Sequence, residues 1–163
     1  MKLYGLIGYP LGHSFSKQYF TEKFKREGLS DCSFEAFPIK SIEAFKSVIT
    51  GNPQLVGLGV TIPYKVQVLQ FVDEISEEVK YISATNSIKI SDNKLVAYNT
   101  DIAGFEQSFN KNLEPFHKKA LVLGSGGAAM AVQYVLAKSG IDFLVVTRNE
   151  ILKPGFIHYN NIA

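Results

Sequence analysis

Two rhythms of apolar residues alternate along the chain. Short runs with strand character are separated by segments whose apolar positions return every three or four residues. Residues 3–7 read as a strand. Residues 14–27 read as a helix, with Phe15, Tyr19 and Phe24 near one face and Gly28 as its stop. Residues 34–39 alternate as a strand, and 42–49 are helical, closed by Gly51-Asn52-Pro53. A strand with glycines follows at 55–61. Then comes a predicted helix at 63–72, its proline in the first turn. Residues 87–90 and 95–98 form a predicted hairpin around Asp92-Asn93.

A helix is predicted for 101–113 and is broken by Glu114-Pro115-Phe116. A strand at 120–123, a helix at 127–138 and a strand at 143–147 come next, then a tail rich in Asn and Gly. Strands alternating with helices predict parallel sheets with helical crossovers. The expected organisation is an α/β domain over 1–101, a linking helix over 102–115 and a second α/β unit over 116–163. That second unit shows two predicted strands, where a mononucleotide-binding half has about three. Two strands bury their faces poorly, so the architecture reads as a shortened version of a longer protein.

The length of 163 residues fits one domain or two small ones. A composition 46% hydrophobic and 20% charged excludes a disordered chain. The single cysteine, Cys32, excludes a disulfide scaffold and fits a reducing compartment. The net charge of +2 comes from lysines mixed among acids, so nucleic acid is not an expected partner. No apolar run reaches the roughly 18 residues of a membrane span. The N-terminus passes straight into Tyr9-Pro10 without a small-residue cleavage pattern. The expectation is a cytoplasmic protein without membrane contact.

Leu121 to Ala129 reads strand, glycine turn, helix start, and matches G-x-G-x-x-G/A with Gly124, Gly126 and Ala129 at the three positions. The first glycine permits the tight turn, the second lets a pyrophosphate approach the backbone, and the small third residue lets helix pack on strand. The helix N-terminus offers N–H groups and partial positive charge to phosphates. The competing reading is a plain tight turn. The next strand ends in Thr147-Arg148-Asn149, with no acid at the place where an NAD site holds its ribose hydroxyl. A guanidinium pairs well with a 2′-phosphate, so Arg148 points to NADP, against the reading of a solvent-exposed arginine.

The first domain carries a second set of polar residues. Ser14 and Ser16 open a predicted helix and can donate to a carboxylate, although capping alone explains one of them. Lys65 falls in a predicted first helical turn. A cation is electrostatically misplaced there, and the positive potential would lower its pKa toward the range useful for proton transfer. A surface lysine is the bland alternative. Asp101 is either a helix cap or, if it faces Lys65, its proton partner. Asn86 interrupts an apolar stretch. His13, His117 and His158 lack ligand spacing, so no metal site is expected and all three read as ordinary polar residues.

Together these segments resemble the shikimate dehydrogenase family. Gly8 to Ser16 resembles its first motif, which places the substrate-carboxylate serines at Ser14 and Ser16. Gly59 to Lys65 resembles N-V-T-x-P-x-K, implying a substrate contact at Thr61 and a catalytic Lys65. Ala84 to Ser87 resembles A-x-N-T and implies a substrate-binding Asn86, while Asn99-Thr100-Asp101 matches N-T-D and implies a catalytic Asp101. The resemblance assigns cofactor contacts to Gly124, Ser125, Gly126, Gly127 and Ala128. Arg148 and Asn149 match the family's N-R-T only approximately. Gly59 stands where the family has Asn and Ser87 where it has Thr, and family members run well beyond residue 163.

The implied fold is α/β: an N-terminal α/β substrate-binding domain followed by an incomplete Rossmann-type NADP-binding domain. The implied activity is NADPH-dependent reduction of 3-dehydroshikimate to shikimate in aromatic amino acid biosynthesis. Its small-molecule partner is shikimate or 3-dehydroshikimate, and a homodimer is a further expectation. One rival is a quinate/shikimate dehydrogenase using NAD. Another is a folate-type methylene dehydrogenase, whose Tyr-x-x-x-Lys site the adjacent Tyr64-Lys65 does not provide. A rival of a different class is a module that binds shikimate-like acids without reducing them.

Overall fold

The computed structural model describes residues 1–150 and 153–162. The chain divides into two compact units, Met1–Tyr98 and Asn99–Ala163.

The first unit is built on β1 (Lys2–Gly8), β2 (Cys32–Pro38), β3 (Leu55–Val60), β4 (Glu74–Ile75), β5 (Ser87–Ser91) and β6 (Lys94–Tyr98). They form one sheet in the order β2-β1-β3-β5-β6-β4. The parallel pairing expected from the sequence occurs in β2-β1-β3 and again at the far edge, where the two-residue β4 pairs parallel with β6. β5 then runs antiparallel to β3 and to β6, so the sheet is mixed. The hairpin sets β6 antiparallel to β5. Asp92 and Asn93 both adopt positive φ, 52° and 59°, which gives the two-residue turn its strand-matching twist. Helix α1 (Ser16–Arg26) lies beside β2, where Phe20 stacks on Phe34 at 4.8 Å. Helix α2 (Phe45–Gly51) buries Phe45 and Val48. Phe45, Ile7, Leu58, Val68 and Ile88 are the fully buried centre of this core.

Two predicted helices change. The helix expected from residue 14 begins at Ser16, because the Ser14 N–H donates to the Leu11 carbonyl at 3.0 Å and closes a turn instead. The helix expected over 63–72 is a turn through 62–66 followed by a 3-10 helix, Gln67–Phe71. The Lys65 carbonyl, which an α-helix would need for Leu69, accepts from the Thr85 N–H at 2.8 Å. The Leu69 N–H turns to Val66 at 3.2 Å. Helix α3 (Glu77–Ile82) and strand β4 were not predicted. Ser76, which accepts from the Val79 N–H, followed by Glu77 and Glu78, was the available helix-start signal.

The second unit contains α4 (Thr100–Asn110), β7 (Lys119–Leu123), α5 (Gly127–Lys138), β8 (Asp142–Thr147) and β9 (Phe156–His158). Its sheet is parallel, in the order β7-β8-β9. Three strands stand where the sequence predicted two. β9 is only three residues long and follows Gly155 at φ 82°, so it hid in the polar tail. The unit therefore has the strand number and order of a mononucleotide-binding half. Phe109 of α4 and Leu136 of α5 pack with Val122 and Val145 on one face. The Glu106–Lys138 ion pair, at 2.7 Å, ties the two helices. The other face leaves Leu121, Leu123 and Leu144 exposed, as expected of a sheet too small to cover both sides.

Candidate functional site

In the first unit, the five predicted polar residues Ser14, Ser16, Thr61, Lys65 and Asn86 lie on segments at one end of the sheet, after β1, after β3 and before β5. Thr61 follows β3, and its N–H donates to the Ile7 carbonyl of β1 at 3.0 Å. The chain after β1 packs tightly here. A Cβ on Gly8 would lie 2.4 Å from Thr61 Cγ2 and 2.8 Å from Leu11 Cδ2. The Tyr9 N–H donates to the Ile62 carbonyl at 3.0 Å, and the Tyr9-Pro10 and Ile62-Pro63 bonds are both cis. Ser14 and Ser16 lie on the continuation of this loop, where the Ser16 N–H reaches Ser14 Oγ at 3.4 Å. Ser14 is exposed and Ser16 half-buried. The N-cap residue of α1 is Phe15, which makes no side-chain cap, so neither serine holds the N-cap position expected for Ser14, although Ser14 Oγ meets the first helical N–H.

Lys65 is held by its backbone and its neighbours. Tyr64 is buried and its hydroxyl donates to the Ile39 carbonyl at 2.7 Å. Thr85 holds the Lys65 carbonyl. Asn86 is next in line, and its own carbonyl accepts from the Val60 N–H at 2.8 Å. Thr61, Lys65 and Asn86 are all half-buried. The dipole argument for Lys65 loses its basis, because no α-helix starts there.

Asp101 belongs to the second unit. It is not the cap of α4: Asn99 is, its side chain accepting from the Asp101 N–H at 3.0 Å. Asp101 sits in the first turn, where a carboxylate is favoured by the helix dipole.

The second unit has a cavity of about 890 Å³ at the ends of its strands. Its first wall is the glycine loop, through Gly124, Ser125 and Gly126. Its second is Thr147, Arg148 and Asn149, after β8, and its third is His158, Tyr159 and Asn160, after β9. Gly124 has φ 114°, a conformation that requires glycine. Gly126 is different. It has φ −83°, and nothing in the protein lies within 4 Å of a Cβ built there. Packing does not demand glycine at 126, so a side chain would project into open space beside the cavity. Gly126 also caps α5 without a side chain, leaving the first-turn N–H groups of Gly127 and Ala128 for an outside acceptor. Thr147, buried, joins two walls. Its Oγ1 lies 3.4 Å from Ser125 Oγ and accepts from the Asn149 N–H at 3.2 Å. Exposed Arg148 supplies a positive charge at the rim.

These donors suit a dinucleotide carrying a 2′-phosphate. The uncapped helix start and the glycine backbone offer N–H donors of the kind a pyrophosphate takes, and Arg148 a guanidinium of the kind a further phosphate takes. Sequence reasoning missed Thr147, His158, Tyr159 and Asn160 as lining residues. For the last three the missing signal was β9 itself.

A family profile described as the shikimate dehydrogenase substrate binding domain matches residues 6–88. The shikimate dehydrogenase (NADP(+)) of Carboxydothermus hydrogenoformans is 41% identical over 151 residues, which cover 90% of this chain and 53% of that protein. The crystal structure of shikimate dehydrogenase 1 from Peptoclostridium difficile superposes with a TM-score of 0.87 at 34% identity, covering 98% of this chain and 61% of that one. A Thermus thermophilus shikimate 5-dehydrogenase, solved with NADP(H) and shikimate, superposes with a TM-score of 0.80 at 30% identity, over 91% of this chain and 57% of that one. The fold thus defines a two-unit α/β chain, a mixed six-stranded sheet followed by a parallel three-stranded half of the mononucleotide-binding type. It belongs to the shikimate dehydrogenase family. The chain spans about half the length of the curated relatives it matches.

Proposed function

We propose that the protein acts in the NADPH-dependent reduction of 3-dehydroshikimate to shikimate, within aromatic amino acid biosynthesis. The observation that carries this reading is one chain holding two sets of residues. The family's polar residues gather at one sheet end, and a glycine-loop cavity carries Arg148 where an NAD site has an acid. The relatives named for NADP(+), and the structure solved with NADP(H) and shikimate, support it.

In this reading Ser14 and Ser16 hold the substrate carboxylate through their hydroxyls. Thr61 and Asn86 orient the ring hydroxyls and so fix the ketone before reaction. NADPH, when bound, supplies the hydride. Lys65 donates a proton to the oxygen that becomes the alcohol. In the reverse direction the neutral Lys65 takes that proton back, and Asp101 is its proposed catalytic partner. Gly124, Ser125, Gly126, Gly127 and Ala128 hold the pyrophosphate, and Arg148 with Asn149 the 2′-phosphate. A cytoplasmic site of action and a homodimer complete the proposal. Light scattering on the purified chain tests the latter.

The test pairs calorimetric titration of the chain with shikimate and an assay of NADPH consumption on 3-dehydroshikimate. Binding with consumption is the expected result. Binding without consumption selects the non-catalytic acid-binding reading. Consumption of NADH in preference to NADPH selects the NAD-using rival, and failure of both measurements rejects the proposal.

A further inference from the structure

We propose that Tyr159 is the platform on which the adenine base of the bound dinucleotide stacks, an inference that rests on the NADP reading of the second unit. The cavity has three walls in strand order. The glycine loop follows β7, Arg148 follows β8, and Tyr159 follows β9. Along the adenosine half of the cofactor the order is phosphate, ribose, base. With the phosphates at the glycine loop and the 2′-phosphate at Arg148, the base falls at the end of β9.

The register fixes how close these walls are. Thr147 pairs with His158 in the parallel ladder, so Arg148 and Tyr159 are the next residues beyond it on adjacent strands. Adjacent strands lie about 4.8 Å apart. Both residues line the cavity, and Tyr159, although a large aromatic, is 40% exposed. The turn carrying it is braced at both ends. His158 Nδ1 accepts from the Asn160 N–H at 3.2 Å, and the Ile162 N–H donates to the Tyr159 carbonyl at 3.3 Å. An exposed ring on a braced turn, at the end of the cavity opposite the phosphate donors, has the form of a base-stacking surface. Every purine presents a flat π-face to such a ring.

Titration of the 163-residue chain with adenosine 2′,5′-bisphosphate, the phosphorylated half of the cofactor, provides the test. Tyr159→Ala is expected to weaken binding about tenfold, the loss typical of a removed base stack. Tyr159→Phe, which keeps the ring, is expected to retain wild-type affinity. In the wild type, nuclear Overhauser contacts between the adenine protons and the Tyr159 ring are expected. These also decide the matter should Tyr159→Ala not fold. Unchanged affinity in a folded Tyr159→Ala chain, or absence of the contacts with ligand bound, overturns the platform and leaves the NADP reading intact. Failure of the wild type to bind the bisphosphate overturns both.

Discussion

Thr85 holds the Lys65 segment from below. Its backbone N–H donates to the Lys65 carbonyl at 2.8 Å, and its hydroxyl lies 2.6 Å from the Tyr98 carbonyl at the end of β6. The same hydroxyl is within 3.0 Å of the Ser87 carbonyl and accepts from the Ser87 N–H at 3.3 Å. The residue is fully buried, so the carbonyls it faces have little access to water. Thr85→Val keeps shape and backbone N–H but removes this oxygen. Leaving buried groups unpaired costs about 1–3 kcal/mol. Urea unfolding is expected to show a lower midpoint with an unchanged m-value. An unchanged midpoint would mean that the hydroxyl does not contribute.

Gly8 makes a second, steric tie. Its Cβ position is 2.4 Å from Thr61 Cγ2, and the Ile62 carbonyl is 3.0 Å away. A methyl group cannot fit unless the Thr61 and Leu11 side chains give way. Gly8→Ala is expected to displace Thr61 and to weaken shikimate binding about tenfold or more, with a stability loss of about 1–3 kcal/mol from overpacking. Calorimetry with shikimate, beside thermal unfolding, measures both. Wild-type affinity in the variant would show that Thr61 need not hold this position for binding.

Much of this organisation was legible in the sequence because local chemistry and tertiary structure agree there. The glycine turn announces itself: Gly124 needs its positive φ, and an apolar strand and a helix flank it. The Asp92-Asn93 hairpin is similar, since these two residue types tolerate the left-handed region. What escaped was decided by distant partners. Residues 63–72 carry a helical pattern, but the Lys65 carbonyl is claimed by Thr85, twenty positions on. β9 exists because β8 offers it an edge, and three residues carry no period of their own. The sites divide the same way. Motif spacing picked out the glycine loop that lines the cavity, while His158, Tyr159 and Asn160 become visible as lining residues only through the fold.

The proposed proton donor has a direct kinetic signature. Where NADPH consumption is measurable, Lys65→Ala is expected to lower kcat by about 10²–10⁴, the usual contribution of a positioned acid or base. KM for 3-dehydroshikimate should change little, because the ammonium acts on the oxygen as charge develops rather than on the resting substrate. Asp101→Asn, which keeps size and loses charge, should lower kcat in the same direction. An unchanged rate in Lys65→Ala would remove Lys65 from the chemistry.

Gly126 gives the contrasting case, a glycine whose replacement the protein itself tolerates. Its φ of −83° suits any residue, and no protein atom lies within 4 Å of the added Cβ. Gly126→Ala should therefore leave thermal stability within about 1 kcal/mol of wild type, the cost of a poorer helix cap. The cavity beside it is the space in which a pyrophosphate would meet the start of α5. A methyl group there holds the phosphate away from the Gly127 and Ala128 N–H groups and weakens two charge-assisted hydrogen bonds at once. The affinity for NADPH is expected to fall about tenfold or more, while shikimate binding in the first unit stays as in the wild type. Full NADPH affinity in Gly126→Ala would show that the phosphates do not approach the glycine loop here.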